Sequence, residues 1–251
     1  EICACLVGSE MCIRDRMFGA LLVLCAGPIL TVFPVNIHFL GLTQQEKEQA
    51  FKVMTYNVLN FKDNEGVQQS QGNRTLAYIL ETDADIVCLQ EAPALHTLHP
   101  NGIVKAQLDS IFSRYPHYVE QTAKAGETIL SKYPLKVLDT PQPDWGSGHY
   151  TAYEVDIEGH PTTVVNCHLQ SIGLTDNDKE LYKEITDKDI KATKSDLSRV
   201  KSSLISKLSN AFMARAQQAR SIKDFLTGKG DNVILVGDFN DVPGSLSLIH
   251  I

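Results

Sequence analysis

The sequence predicts an α/β fold in which mixed strands and helices pack as a layered sandwich. Apolar runs bounded by turn residues are typical of strands, and segments with apolar residues at helical spacing are typical of helices. Both kinds occur between residues 52 and 245, a stretch long enough for one domain with its own core.

The predicted strands are rich in Val, Ile and Leu and cover residues 52–59, 85–90, 127–131, 135–139, 151–157, 162–169 and 232–238. Gly-His-Pro at 159–161 predicts a turn between two of them. Cys88 and Cys167 fall inside predicted strands, and no CxxC or Cys/His spacing accompanies them. We therefore expect them to be small buried residues rather than disulfide or zinc partners.

The predicted helices cover residues 73–82, 103–115 and 210–228. The stretch 174–209 mixes charges with widely spaced apolar residues, which favours one or two amphipathic surface helices inserted before the last core helix.

The two ends of the chain fit a single inverted DNA repeat when they are back-translated. Residues 246–251 and residues 10–16 can be encoded by the two strands of one sequence, which resembles the transposase end used to build sequencing libraries. We expect residues 1–16 and 246–251 to be adapter-derived and leave them out of the fold prediction. The natural chain is then expected to be cut short at both ends.

Residues 17–41 contain no Asp, Glu, Lys or Arg, and residues 42–51 form a polar linker into the domain. An apolar run of this length predicts a membrane segment or a signal-type segment, with a buried core helix as the alternative. Pro28 and Pro34 interrupt the run, which a membrane helix tolerates better than a soluble helix does. We expect the protein to be anchored in a bacterial inner membrane, and the sequence leaves open which side holds the domain.

The formal net charge of −7 argues against a protein that holds nucleic acid mainly through a broad basic surface. It does not exclude a nuclease, because a bound divalent cation changes the local field.

Polar residues stand at the ends of four predicted strands, namely Asn57, Glu91, His168, and Asp238 with Asn240. Taken singly, each has a simpler interpretation as a turn residue, a solvated carboxylate or a core histidine. Together they predict one crevice into which rigid strands direct several polar groups.

The residue types suit metal-assisted attack on phosphorus. Glu91 and Asn57 are oxygen ligands of the kind that Mg²⁺ prefers, with Mn²⁺ as the alternative. His168 can hydrogen-bond a phosphate or protonate a leaving oxygen. Asp238 and Asn240 are two residues apart, so an extended strand end would direct both side chains to one side, one toward a water and the other toward the phosphate.

Five segments carry a resemblance to a known family: TYNVLNF, DADIVCLQE, GETILSKYP, VVNCHLQS and VILVGDFND. In order and spacing they resemble the endonuclease/exonuclease/phosphatase superfamily over residues 52–245, in particular a bacterial branch with hydrophobic N-terminal segments. The resemblance implies a deoxyribonuclease-I-like four-layer α/β sandwich. It also implies metal-binding roles for Asn57 and Glu91, a catalytic histidine at His168, and nucleophile and phosphate positioning by Asp238 and Asn240.

The sequence departs from that family after Ser245, where an Asp-containing strand and a Ser-Asp-His motif would follow. We therefore expect an incomplete sandwich, an active parent protein and an inactive chain. The expected parent is a monomeric, membrane-tethered phosphoester hydrolase acting on nucleic acid, phospholipid or a small phosphate ester. A non-catalytic module that binds phosphate ligands or membrane surfaces is the alternative. The segment 144–150 is expected either at the mouth of the site or as an ordinary turn.

Overall fold

The computed structural model describes residues 43–45, 50–64, 72–97, 104–120, 126–141, 147–175, 178, 194–241 and 245. The predicted adapter-derived ends, the apolar segment 17–41 and most of the predicted insertion before residue 194 lie outside these residues. Within the described part of the chain, no helix is long and apolar enough to cross a membrane.

Eight strands and three helices are described. In chain order the strands are β1 (Val53–Asn57), β2 (Ile86–Gln90), β3 (His117–Glu120), β4 (Thr128–Ser131), β5 (Leu135–Leu138), β6 (His149–Ile157), β7 (His160–His168) and β8 (Val233–Asp238). The helices are α1 (Arg74–Thr82), α2 (Lys105–Arg114) and α3 (Lys194–Leu226), and short 3₁₀ turns cover Leu59–Asn64 and Leu95–Thr97.

The strands form two four-stranded sheets, in the orders β1-β2-β4-β3 and β5-β6-β7-β8. Each sheet contains one parallel pair, β1 with β2 and β7 with β8, and its other pairs are antiparallel. Because the carboxyl ends of parallel neighbours reach the same edge of a sheet, each sheet delivers two strand ends together.

The two sheets pack face to face, and the helices cover their outer faces. Buried side chains from both sheets meet in one central cluster, which contains Ile86, Cys88, Ile129, Tyr153, Val155 and Val164. Leu76 and Ile79 of α1 and Ile111 of α2 pack on the outside of the first sheet. Ile222 of α3 packs on the outside of the second sheet. The four layers confirm the predicted α/β sandwich, and both cysteines are buried as expected.

Local sequence explains the sharpest boundaries. Asn73 caps α1, since its side chain accepts a hydrogen bond from the Leu76 N–H at 3.1 Å. Glu158 and Gly159 join β6 to β7 in a two-residue turn with positive φ values of 53° and 86°. Type I′ hairpin turns require positive φ at both central residues, so glycine is suited to this position. The turn therefore comes one residue earlier than the predicted Gly-His-Pro segment.

Two elements differ from the sequence prediction. Strand β3 was not predicted, because its four residues, HYVE, are too few and too polar to stand out. Among the described strands it pairs with β4 alone, at the edge of its sheet. Helix α3 runs unbroken from Lys194 to Leu226, so the predicted boundary between an inserted helix and the core helix near residue 209 is wrong. The segment 194–209 contains no Pro or Gly to end a helix, and the helix simply continues into the apolar stripe that packs on the sheet.

Candidate active site

The side chain of Asn57, at the end of β1, joins the two sheets at their carboxyl edge. Its Nδ2 donates to Glu91 Oε1 at 3.0 Å and to Asp238 Oδ2 at 2.9 Å. Glu91 follows β2 in the first sheet, and Asp238 ends β8 in the second. Two carboxylates from different sheets therefore converge on one amide group.

The loops around Asn57 and Glu91 are held by their own backbone. Glu91 has a positive φ of 50°, which turns the chain sharply as β2 ends. Its carbonyl accepts the Asn60 N–H at 2.8 Å, and Asn57 Oδ1 accepts the Leu59 N–H at 3.1 Å. His168, at the end of β7, places Nε2 3.7 Å from Glu91 Oε1. Four of the five residues singled out from the sequence, namely Asn57, Glu91, His168 and Asp238, thus belong to one connected group.

Asp238 and Asn240 reach the site by a different geometry from the one predicted. Asn240 has a positive φ of 50°, so the strand does not continue through it and the extended-strand argument is wrong. A tight turn places the pair instead, because Asp238 Oδ1 accepts the Asn240 N–H at 2.9 Å. The Asn240 side chain then donates to the Leu169 carbonyl at 2.8 Å, next to His168.

Part of the segment 144–150 lies beside this group. His149 pairs with His168 across β6 and β7. Burial, with a further contribution from the nearby His168, lowers the pKa of His149 below its ordinary value. The Ser147 N–H donates to Gln170 Oε1 at 2.6 Å, two residues beyond His168. The described end of this segment is therefore next to the site, in agreement with one of the two predicted alternatives.

A layer of buried amides lies directly beneath the site, between the two sheets. Gln90 Nε2 donates to Asn166 Oδ1 at 2.6 Å and to Thr55 Oγ1 at 3.0 Å. Asn166 Nδ2 donates in turn to the Leu89 carbonyl at 3.0 Å. Since Gln90 precedes Glu91 and Asn166 is two residues before His168, this layer connects the two sheets just below Glu91 and His168. Sequence reasoning missed it.

A buried carboxylate, Glu127, was also missed. It is fully buried beside β6, and its Oε2 accepts a 2.6 Å hydrogen bond from Thr151. Among the described residues, its Oε1 has no hydrogen-bond partner. Burial raises the pKa of Glu127 to about 7, and the Thr151 hydrogen bond opposes that shift.

A cleft of about 700 Å³ opens between β1 and β8, lined by Asn57, Gln90, Phe212, Arg215, Asp238 and Asn240 among others. Gly237 lies on its wall, with a φ of 148° that side-chain-bearing residues rarely adopt. A Cβ at this position would overlap the carbonyl group of Cys167 on β7. Glycine here allows β8 to approach β7 closely enough to deliver Asp238.

The donor set at this edge consists of two carboxylates and one amide. Among the described residues, no group of three or more His, Cys, Asp or Glu side chains could hold one. Mg²⁺ does not need such a cage, because it binds through one or two carboxylates and completes its shell with waters and substrate oxygens. The carboxylates of Glu91 and Asp238 converge on Asn57, whose side chain also offers an amide oxygen, and these groups fit Mg²⁺.

Two further residues near the site lie on α3. Arg215 and Gln218 are both buried, and they contact the loops that follow β7 and β8. A sequence signal for them exists: they occupy the apolar stripe of the helix together with Ala211, Ala219 and Ile222, where a charged residue is unexpected.

Residues 54–251 match the family described as "Endonuclease/Exonuclease/phosphatase family". No curated protein sequence matches the chain.

Solved structures with similar folds include humanized Danio rerio TDP2, with 16% identity and a TM-score of 0.46 over 79% of this chain and 70% of that chain. Sphingomyelinase C from Streptomyces griseocarneus has 20% identity and a TM-score of 0.47 over 80% of this chain and 68% of that chain. A Staphylococcus aureus beta toxin mutant with bound magnesium ions has 18% identity and a TM-score of 0.46 over 79% and 68%.

Proposed function

This chain belongs to the Endonuclease/Exonuclease/phosphatase family, and on that premise we propose that its parent protein is a Mg²⁺-dependent phosphoester hydrolase. The observation that carries the proposal is the convergence of Glu91 and Asp238 on the Asn57 amide, with His168 3.7 Å from Glu91. Carboxylate, amide and imidazole groups gathered at one crevice are the groups that attack of water on phosphorus requires.

Glu91 and Asn57 are the proposed metal ligands. The Glu91 side chain is 31% exposed, so a cation with its own waters can reach it from solvent. When bound, Mg²⁺ would neutralise negative charge on the phosphoryl oxygens. Mn²⁺, which accepts the same oxygen ligands, is the alternative ion.

Asp238 is the proposed residue that orients the attacking water. Both of its carboxylate oxygens accept hydrogen bonds, Oδ2 from Asn57 and Oδ1 from the Asn240 N–H. Two donors fix the carboxylate plane, and each oxygen has a second lone pair for a water proton. A carboxylate fixed in this way holds water in one orientation, which lowers the entropic cost of attack.

His168 and Asn240 are the proposed phosphate-binding groups. His168 stands on a strand end and is only 17% exposed, so its ring has little freedom to move. One amide hydrogen of Asn240 donates to the Leu169 carbonyl, which directs the rest of the side chain. In this arrangement His168 hydrogen-bonds a phosphoryl oxygen or protonates the leaving oxygen.

The proposed substrate is a phosphate ester, in the form of nucleic acid, phospholipid or a small phosphate ester. We also propose that residues 17–41 attach the parent protein to a bacterial membrane, as their composition predicts. Recovery of the parent protein in the membrane fraction after a carbonate wash is the expected result, and recovery in the soluble fraction would contradict this part of the proposal.

Hydrolysis of bis(p-nitrophenyl) phosphate tests the function. It should be measured both for this chain and for the parent protein, meaning the natural protein that contains it. In the parent protein, Glu91→Gln should remove most of the Mg²⁺-dependent rate, because it keeps the size of the side chain but removes the anionic ligand.

Glu154→Gln is the matched control, because Glu154 pairs with the exposed Lys136 on β5, and it should leave the rate unchanged. A parent protein that binds phosphate esters without hydrolysing them would contradict the enzyme and favour the non-catalytic binding module.

A further inference from the structure

One buried ion pair links α3 to the loop that follows β8. Arg215 Nε donates to Asp241 Oδ2 at 3.1 Å, and the two side chains are 1% and 3% exposed. The same guanidinium donates through Nη1 to the Gln170 carbonyl at 2.9 Å, in the loop that follows β7. A single side chain therefore bonds to both loops that carry the second half of the site.

Gln218, one helical turn further along α3, contacts the same loop. Its Oε1 accepts the Gln170 N–H at 2.9 Å, so both backbone groups of Gln170 bond to this helix. Gly148 packs against the Gln218 side chain so closely that a Cβ there would overlap it. The contact between α3 and the β7 loop is thus tight.

The two loops are also joined to each other. The Leu169 N–H donates to the Asp238 carbonyl at 2.9 Å, and Asn240 Nδ2 donates to the Leu169 carbonyl at 2.8 Å. His168 immediately precedes this junction. Fixing Gln170 on one side and Asp241 on the other therefore holds the junction between them, together with the side chains that it carries.

A buried charge is an expensive means of packing a helix on a sheet. Desolvating an ion pair costs free energy that apolar residues of similar size would not require. The same face of α3 uses Ala219 and Ile222 for ordinary packing. Arg215 differs from them in presenting several fixed donors to two acceptors at once, which only its planar guanidinium can do.

We propose that Arg215 is a positioning residue, assisted by Gln218, which holds the loops 168–170 and 238–241 so that His168, Asp238 and Asn240 stay aligned for phosphate. This assignment rests on the proposed function for its purpose. The claim that Arg215 holds the two loops can be tested without a metal or a substrate.

Amide hydrogen exchange, followed by NMR in the chain as it exists, tests this claim. Arg215→Met keeps the length and burial of the side chain but removes the donors. Exchange at Leu169, Gln170 and Asn240 should accelerate by about 10- to 100-fold, the factor expected when buried hydrogen bonds to a charged group are lost. Exchange at Val87, Cys88 and Leu89 in β2 should change far less.

Two variants make the result specific. Arg114→Met breaks another Arg–Asp pair, formed by Arg114 at the end of α2 and Asp83 just after α1. This variant should leave exchange at the site unchanged. Arg215→Lys keeps the charge but not the fork, and should restore only part of the protection. Uniform acceleration throughout the protein in Arg215→Met would mean general destabilisation and would overturn the proposal.

Inorganic phosphate with Mg²⁺ then tests the purpose. The side-chain amide signal of Asn240 should shift on addition of phosphate in the wild-type chain and in Arg114→Met, and should not shift in Arg215→Met. If the Asn240 signal of the wild-type chain does not shift on addition of phosphate, the proposed function is contradicted. The exchange result would still support the contact between Arg215 and the two loops. Equal phosphate responses in Arg215→Met and the wild type would overturn the positioning role.

Discussion

The Asn57 amide donates to the Asp238 carboxylate at 2.9 Å, although 181 positions separate the two residues in the chain. This bond joins the first strand of one sheet to the last described strand of the other. Because the same nitrogen also donates to Glu91, the amide offsets repulsion between two carboxylates at the carboxyl edge of the sandwich. The stability of this edge should therefore depend on both the amide and any cation that binds there.

Asn57→Asp replaces the shared donor with a third carboxylate. In EDTA this variant should lose about 1–3 kcal/mol of unfolding free energy, because two hydrogen bonds are lost and like charges meet. Urea denaturation measures the loss, and added Mg²⁺ should reduce it. Asn232→Asp, at an exposed position before β8, is the control and should change stability little. Equal losses for both variants would contradict the role given to Asn57.

Glu127 should make stability depend on pH. Its pKa is raised in the folded protein to about 7 from an ordinary value of 4.5, so the folded state holds the proton more tightly than the unfolded state does. The contribution of Glu127 to the free energy of unfolding is fully present below pH 4.5 and is lost as pH rises through 7. The loss is roughly 3 kcal/mol at most.

Glu127→Gln keeps the acceptor for Thr151 and removes the titration. As pH rises from about 5 to about 8, the wild type should therefore lose unfolding free energy relative to Glu127→Gln. A difference that stays constant over this range would contradict the assignment.

Much of the fold follows from the sequence because its strands are apolar and bounded by turn residues. That Asn57, Glu91, His168, Asp238 and Asn240 lie together could be predicted, because polar groups at the ends of apolar strands are conspicuous. The roles given to them stay predictions. The turn at Asn240 could not be predicted, since its positive φ depends on a hydrogen bond to Asp238 rather than on strand alternation.

The hydrogen-bond partners of buried polar side chains could not be predicted from the sequence either. Gln90 and Asn166 lie 76 positions apart, and only the packing of one sheet on the other brings them together. In the sequence Arg215 is one of many charged residues on a long helix, and only the packing of that helix on its sheet shows that Arg215 is buried. Pairings of this kind depend on tertiary structure, which local patterns do not encode.

Gln90→Met should weaken the site through the layer beneath it. The substitution nearly conserves volume but leaves the buried Asn166 oxygen without its Gln90 donor, which should cost about 1–3 kcal/mol. Mg²⁺ affinity, measured by calorimetry, should fall by about 10-fold or more, because groups that orient a ligand typically have effects of that size.

Gln107→Met is the matched control, since Gln107 bonds to the backbone of Asn73 at the start of α1 rather than to the buried amides between the sheets. It should destabilise the fold without changing Mg²⁺ affinity. Loss of affinity in both variants would mean that stability alone, rather than the amide layer, controls binding.

Gly237→Ala should be among the most damaging single substitutions in the chain. The added Cβ would overlap backbone atoms of Cys167, which cannot move without separating β7 from β8. We expect a loss above about 3 kcal/mol, seen as a large fall in the urea midpoint. Gly228 also has a positive φ, but a Cβ there meets no atom within 4 Å, so Gly228→Ala should cost only about 1 kcal/mol.

The most direct test of the central claim is an anomalous difference map from crystals of this chain soaked in Mn²⁺. We predict one peak at the carboxyl edge of the sandwich, coordinated by the Glu91 carboxylate at about 2.0–2.2 Å. The Asn57 amide should be turned so that its oxygen faces the ion. No peak at this edge, or a peak bound only by surface carboxylates elsewhere, would contradict the claim that these strand ends form a metal-dependent phosphoester site.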